Sequence, residues 1–234
     1  MHRQTKHTIV RDLSWLAFNA RVLQEANDAT NHIHDRLRFL GIFSNNLDEF
    51  FRVRVATLNK MVRMGKTARV HMEANPEKIL RKIQQTVIVQ QQEFDGAYAD
   101  VIREMEKQHI FIKNEKQLNE EQRAFVTNYF EQNVRTQIIP LMIESIPHLP
   151  LLRDKSIYLA CVLGKAGDAM SQRYALIEIP TRVLPRFVIL PPTEKGEKDI
   201  MLLEDIIRYN LPMLFAPFGF DRFMAHIIKV TRDA

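Results

Sequence analysis

Residues 44–51, SNNLDEFF, place two adjacent amides and two carboxylates within an apolar pattern. The spacing of Leu40 and Phe43 before the amides and of Leu47 after them predicts two helical segments that meet at this corner. An Asn there can accept from the free N–H groups of the following turn, and the carboxylates favour the positive end of the helix dipole. A cap requires only one such residue. The segment therefore indicates either a plain helix start or a start that leaves one amide free for a ligand.

Longer blocks surround this segment. RDLSWLAFN at residues 11–19 and RVLQEA at residues 21–26 precede it, and RLRFLGIFSNNLDEFFRVRVA fills residues 36–56. The combination resembles the amino-terminal region of the long bacterial polyphosphate kinases, in which LSWLxFNxRVLxEA is followed by RLxFLxIxSxNLDEFFxVRVA. Blocks of that length are far more specific than a cap pattern. Further similar segments lie at residues 92–96, 175–180, 185–188 and 231–234. The resemblance covers nearly the whole chain.

The resemblance implies an enzyme whose chemistry lies elsewhere. Family proteins are much longer than this chain and continue after a TRDA-like segment into two further domains that resemble phospholipase D. The histidine that takes the γ-phosphoryl of ATP, and the groups that bind Mg²⁺, belong to those domains. The resemblance therefore assigns no catalytic and no metal-binding residue here. It implies ATP, ADP and inorganic polyphosphate as partners, and a head domain that is incomplete at its carboxyl end.

One site residue carries over from the family. The second Asn of the SNNLDEFF motif lies against the adenine of bound ATP in the family, and that position is Asn46 in this chain. An Asn amide can pair with the acceptor–donor edge of adenine. The resemblance thus implies Asn46 as an ATP contact and Asn45 as the helix cap.

A basic window follows the motif. Between Phe50 and Met72 there is no Asp or Glu, and the Lys and Arg residues are Arg52, Arg54, Lys60, Arg63, Lys66 and Arg69. One interpretation is a solvated helix face followed by a loop. The other is a phosphate-facing surface, in which Arg52 and Arg54 lie near Asn46 while Arg63 and Lys66 attract a polyanion.

Composition bounds the class of protein. The chain has 234 residues, of which 46% are hydrophobic and 26% charged, as in an ordinary soluble globular protein. Its single cysteine, Cys161, excludes a disulfide framework and a multi-cysteine zinc site, and its apolar neighbours predict a buried strand residue. No run reaches the ~18 apolar residues of a membrane span, and no signal sequence is evident. We expect a cytoplasmic protein, with peripheral membrane association as an option.

The net charge of +5 favours anionic partners. A rival to the kinase interpretation is therefore a non-catalytic helical adaptor or a polyanion- or nucleic-acid-binding protein. No RNA-binding or helix-turn-helix motif supports the rival, so nucleic acid is not an expected partner.

The pattern predicts an α+β protein with two domains. Residues 1–108 are expected to be all helical, with helices from 12 or 14 to 26, over 35–43 and 47–64, and a long amphipathic helix that opens at Asn75 and Pro76. The length of that last helix suggests packing within its own bundle or a homo-oligomer contact.

Residues 109–234 are expected to form an α+β head domain. A helix is predicted over about 120–137 and another from 202 to 211, and residues 194–199 read as a surface loop. Strands are predicted over 156–164, 173–179 and 186–190, with a turn at 165–168 between the first two. A fourth strand, over 223–230, is expected to be buried on both faces. The helical and head domains together are expected to support a homo-oligomer.

Overall fold

The computed structural model describes residues 11–64, 75–145 and 152–234, except for the side chains of residues 168–171. The described chain divides into two compact units. The first comprises the described residues up to Met105 together with Arg232–Ala234, and the second comprises Glu106–Thr231. The described part of the first unit is helical, and the second combines helices with two sheets. The predicted α+β class is confirmed.

The first unit is built on four helices in its described residues. Their bounds are α1 Arg11–Asn27, α2 Ile33–Phe50, α3 Ala56–Met64 and α4 Pro76–Lys107, with a π-helical turn at Phe51–Val55 between α2 and α3. The opening of α4 is as predicted, since Asn75 Oδ1 accepts from the backbone N–H of Glu77 at 2.9 Å and Pro76 is the first helical residue. Lys66 of the basic window lies outside the described residues.

The predicted corner at residues 44–46 is wrong. α2 runs through Ser44, Asn45 and Asn46 without interruption, and Phe50, Phe51 and Ala56 all keep right-handed helical backbone angles. Asn45 is an exposed residue in the helix interior and is not a cap. A cap residue needs non-helical backbone angles, and nothing here supplies them. Leu40, Phe43, Leu47 and Phe50 form a single apolar stripe, because their spacing of three and four residues fits one uninterrupted helix.

That stripe enters the core of the first unit. One buried cluster joins Phe43 to residues of α1 and α4, including Leu23 and Val101. A second cluster joins Phe50 to Leu16, Leu58, Ile79 and Ile83. α1 is therefore packed against both the α2–α3 helix and α4, and the two clusters hold residues 43–58 in place.

The second unit contains seven strands and three helices in its described residues. Their bounds are β1 Ile110–Lys113, α5 Glu120–Tyr129, β2 Leu141–Met142, β3 Ser156–Lys165, β4 Asp168–Glu178, β5 Phe187–Ile189, β6 Lys198–Leu202, α6 Leu203–Tyr209, α7 Leu211–Phe215 and β7 Arg222–Val230. One sheet has the order β1-β6-β5, with β1 parallel and β5 antiparallel to β6. The other is antiparallel with the order β2-β4-β3-β7.

Most of the predicted elements of this unit are confirmed. β3, β4, β5 and β7 lie where strands were predicted, and the turn at 165–168 closes the β3–β4 hairpin through the pair Lys165 and Asp168. α5 begins at a capping box of Asn119 and Gln122 and continues through a π-helical turn and a short 3₁₀ turn to Gln137, as the prediction for 120–137 required.

Two features of the head were missed or misjudged. β1, β2 and β6 were not predicted, and β6 begins at Lys198, inside the expected surface loop. β7 is not buried on both faces. It is an edge strand that pairs with β3 among the described residues, and its Met224 and Ile227 side chains are exposed.

The buried residues of the second unit form one cluster that includes Phe130, Leu159, Ile177 and Met201. Cys161 belongs to it, as predicted for a strand residue, and burial raises the pKa of its thiol to about 12. Such a thiol stays protonated at neutral pH and is chemically inert.

Candidate functional site

The site is built on the contact between α1 and α2. The two helices are antiparallel, because residues with higher numbers in α1 contact residues with lower numbers in α2. The contacts occur at successive turns of both helices. They are the ion pair Asp12–Arg54, the ring stack Trp15–Phe50 and the amide pair Asn19–Asn46; Arg54 belongs to the π-helical turn that continues α2.

The amide pair is anchored to the backbone. Asn19 Nδ2 donates to the carbonyl oxygen of Phe43 at 3.2 Å, and Asn46 Nδ2 donates to Asn19 Oδ1 at 3.1 Å. Asn19 is fully buried, whereas Asn46 is half-buried. Asn46 therefore has one amide hydrogen bound inside the protein, while its Oδ1 and second hydrogen have no partner among the described residues and can meet a ligand.

Aromatic rings lie one turn further along α2. Trp15 and Phe50 stack with centroids 4.6 Å apart and planes 13° apart, and Phe51 meets the edge of Phe50 at 6.2 Å. Phe50 is buried, but Phe51 is partly exposed. These rings stiffen the helix pair directly beside Asn46 and leave an apolar ring at the surface.

The ion pair completes the contact. Arg54 Nε donates to Asp12 Oδ1 at 2.8 Å; the Asp12 side chain is 6% exposed and that of Arg54 is 38% exposed. The hydrogen bond to Asp12 raises the pKa of the Arg54 guanidinium above its usual value. Part of the charge of Arg54 is therefore neutralised within the protein.

Two further polar groups fix the position of α1. Gln90 of α4 donates from Nε2 to the carbonyl oxygen of Leu16 at 3.0 Å, and Arg36 donates from Nε to that of Ala26 at 2.8 Å. Both side chains are buried. Hydrogen bonds from buried side chains to a helix backbone allow little sliding or rotation of α1 against α2 and α4, so Asn46 is presented on a rigid support.

The basic residues are spread along the helix. Arg52 Nη1 lies 3.9 Å from Glu49 Oε2, and the carbonyl oxygen of Arg52 accepts from the Ala234 N–H at 3.1 Å. Arg63 is exposed and lines, with Lys60, a cavity of about 550 Å³. With a helical rise of about 1.5 Å per residue, Arg63 lies roughly 25 Å along the axis from Asn46. The structure brings Arg54 to the α1–α2 contact and places Arg63 well away from it.

Asn19 and Asp12 are the site residues that sequence reasoning missed. Both occur in RDLSWLAFN, where Asn19 shares the helical stripe of the buried Leu16 and Leu23. A polar residue on an apolar stripe was the available signal. Over residues 11–64, 75–145 and 152–234, no group of three or more His, Cys, Asp or Glu side chains could hold a metal ion. In those same ranges, no helix combines the length and apolar character needed to cross a membrane.

Comparison with known proteins adds family information to this geometry. Residues 8–113 match the family model described as polyphosphate kinase N-terminal domain, and residues 121–234 match the polyphosphate kinase middle domain. Curated relatives named polyphosphate kinase are 43% identical over 97% of this chain in Vibrio parahaemolyticus and 42% identical over 99% in Escherichia coli K12. This chain covers 32% and 33% of those relatives, respectively.

A solved structure of a polyphosphate kinase is also similar to this chain. The crystal structure of polyphosphate kinase from Porphyromonas gingivalis superposes with a TM-score of 0.84 at 32% identity, over 97% of this chain and 33% of that one. The chain therefore spans about a third of the length of the relatives that it matches.

Proposed function

This chain belongs to the polyphosphate kinase family, and from that premise we propose that it is the ATP-base-binding and assembly portion of a polyphosphate kinase. The complete enzyme would reversibly transfer the terminal phosphoryl group of ATP to a growing inorganic polyphosphate chain. The phosphohistidine and the Mg²⁺ ligands would lie outside this chain. No catalytic residue is assigned to residues 1–234, and their contribution is to hold the nucleotide base and to support assembly.

The observation that carries the proposal is the mounting of Asn46. Its position in SNNLDEFF is the one to which the family resemblance assigns the adenine contact, and in the structure its amide is half-buried on a rigid helix pair. A contact of this kind needs an amide whose orientation is fixed before the ligand arrives, because ordering it on binding would cost affinity. The bond to Asn19 provides that fixed orientation.

Replacement of Asn46 with Ala in the complete gene product tests this contact. Loss of a hydrogen-bonded base contact should raise KM for ATP about tenfold, with a smaller effect on kcat. Asn45→Ala is the matched control, because Asn45 is the neighbouring amide and is exposed in the interior of α2. An Asn46→Ala enzyme with the KM of the control would refute the assignment.

A separate test is needed for the proposal that residues 1–234 bind the nucleotide base while the catalytic groups lie outside this chain. With Mg²⁺ present, ATP-dependent chain growth should be measured for the complete gene product beside the 234-residue piece. Activity confined to the complete product supports the proposal. Absence of activity in both would shift the function toward a non-catalytic adaptor.

We also propose that the basic residues that follow the SNNLDEFF segment help to attract polyphosphate, and that they do not contribute equally. Arg63, which is exposed, is better suited to meet a polyanion than Arg54, which is bound to Asp12. Arg52 lies near Glu49 and Lys66 remains a candidate on sequence grounds. Charge reversal at Arg63 should lower activity on long polyphosphate at low salt and make the remaining activity less sensitive to added salt, and an unchanged salt response would remove Arg63 from this role.

A homo-oligomer and a cytoplasmic location, with peripheral membrane association as an option, complete the proposal. The three-stranded sheet supports the first point, because Phe187 and Ile189 of the edge strand β5 are 60% and 72% exposed on one face. Adjacent exposed apolar side chains on an edge strand are typical of a contact surface. Light scattering of the complete product should show an oligomer that Phe187→Asp weakens; a monomeric wild type would contradict this part.

A further inference from the structure

We propose that Asn19 is a positioning residue that fixes the orientation of the Asn46 amide and thereby makes the site select adenine over guanine. The inference rests on the proposed contact between Asn46 and the nucleotide base. It assigns a specificity role to a side chain that is fully buried and acts through Asn46.

The orientation is dictated by a backbone carbonyl. The oxygen of Phe43 can only accept, so the atom of Asn19 that lies 3.2 Å from it must be Nδ2. Asn19 Oδ1 then points to Asn46, and because that oxygen can also only accept, the atom of Asn46 that faces it at 3.1 Å must be Nδ2. The chain of bonds leaves Asn46 Oδ1 on the side away from Asn19.

This arrangement distinguishes the two purines. Adenine carries a donor, the amino group, on carbon 6, whereas guanine carries an acceptor oxygen there. Asn46 Oδ1 can accept from the adenine amino group without any rearrangement. Guanine bound in the same place would put its carbon-6 oxygen against Asn46 Oδ1, and two acceptors cannot form a hydrogen bond. Turning the Asn46 amide over would bring Nδ2 to that oxygen, but Asn46 Oδ1 would then face Asn19 Oδ1 with no hydrogen between them. The buried Asn19 oxygen would lose its donor, so guanine binding carries a penalty.

Packing alone does not account for Asn19. It lies on the stripe of Leu16 and Leu23, where an apolar side chain of similar size would fill the space without desolvating an amide. Both of its hydrogen bonds run to α2, one to the backbone and one to Asn46. A buried amide whose oxygen meets the proposed base contact is the expected arrangement for a residue that orients that contact.

The experiment compares ATP with GTP as phosphoryl donor in the complete gene product. Asn19→Leu keeps the approximate volume but cannot accept from Asn46, so the Asn46 amide can turn over. The ratio of kcat/KM for ATP to that for GTP should fall about tenfold, which corresponds to loss of one hydrogen-bond distinction. Asn19→Asp keeps a side-chain oxygen that accepts from Asn46 Nδ2 whether or not the carboxyl is protonated, so it should keep the ratio within about twofold of wild type.

The controls separate orientation from stability. Unfolding midpoints are measured for every variant, and Asn45→Ala is the matched surface control. If Asn19→Leu does not fold, Asn19→Ala carries the same expectation. Equal losses of kcat/KM for both nucleotides, or the same ratio in the Leu and Asp variants, would overturn the positioning role. If Asn46→Ala leaves KM for ATP unchanged, the base contact itself fails; if it raises KM while Asn19→Leu leaves the ratio intact, only the role of Asn19 fails.

Discussion

Removing the two partners of the Asp12–Arg54 pair should have unequal effects on stability. Arg54→Met leaves the Asp12 carboxylate, which is 6% exposed, without its donor inside the first unit. Asp12→Asn leaves a guanidinium that is 38% exposed and can turn to water. If Arg54 acts as a structural partner of Asp12 and not as a polyanion contact, Arg54→Met must destabilise the protein more than Asp12→Asn does.

The magnitudes follow from the geometry. At 2.8 Å and an effective dielectric of about 20, the gross attraction between the charges is about 6 kcal/mol. Solvent access to Arg54 and the desolvation of Asp12 reduce the net coupling to about 1 kcal/mol. A buried carboxylate that loses its partner costs about 3 kcal/mol, so we expect Arg54→Met to lower the free energy of unfolding by about 3 kcal/mol and Asp12→Asn by about 1 kcal/mol.

The chain supplies its own probe. Trp15 is the only tryptophan, lies three residues from Asp12 and stacks on Phe50, so its fluorescence reports on the first unit during urea unfolding. Arg63→Met is the matched control, because Arg63 is exposed on the same helical run; its change should stay within about 0.5 kcal/mol. If Arg54→Met is no more destabilising than Asp12→Asn or the control, Arg54 is not a structural residue and its role as a polyanion contact gains support.

Three further predictions concern the second unit. Cys161, with its thiol pKa at about 12, should not react with a thiol reagent at pH 8 in the native protein and should react fully in denaturant; rapid native labelling would contradict its burial. Burial tends to raise the pKa of Asp199, but donors from Thr193, Lys113 and Gln122 outweigh this and hold it below the ordinary 3.8. Its stabilisation should therefore be full above pH 3.8 and be lost as pH falls through the lower folded-state pKa, so the stability gap between wild type and Asp199→Asn should narrow with acid, and a gap constant from pH 7 to pH 2 would contradict this. Phe130→Ala removes a fully buried ring and should cost about 4 kcal/mol in urea unfolding, against a change near zero for Phe218→Ala, whose ring is 66% exposed; similar losses in both would be inconsistent with the packing.

The sequence predicted correctly those elements whose structure depends on residues that are neighbours along the chain. The opening of α4 depends on Asn75 and Pro76 and the residues that follow directly, so it could be predicted. The β3–β4 hairpin likewise follows from two apolar runs and a turn at residues 165–168. Family identity was also readable, since it resides in the order of residues and needs no coordinates.

The wrong predictions concern elements whose structure depends on contacts with segments far away in the sequence. Asn45 and Asn46 have the composition of a cap, but α2 continues because the stripe of Phe43, Leu47 and Phe50 is buried against two other helices and Asn19 satisfies Asn46 from across the contact. β6 was not predicted because Asp199 looks like a surface residue in the sequence but is buried in the structure. Its donors include Gln122 and Lys113, which lie more than seventy residues away along the chain.

The sequence by itself determined the family, the helical and mixed halves, and Asn46 as the residue to test. Only the tertiary structure decided that Arg54 is bound to Asp12, that Asn45 is not a cap, and that a buried Asn19 accepts a hydrogen bond from Asn46. The physical reason is the range of the interactions. Periodicity and turn chemistry act between residues that are neighbours along the chain, whereas the partner of a buried polar group is chosen by packing, and packing joins residues that the sequence keeps far apart.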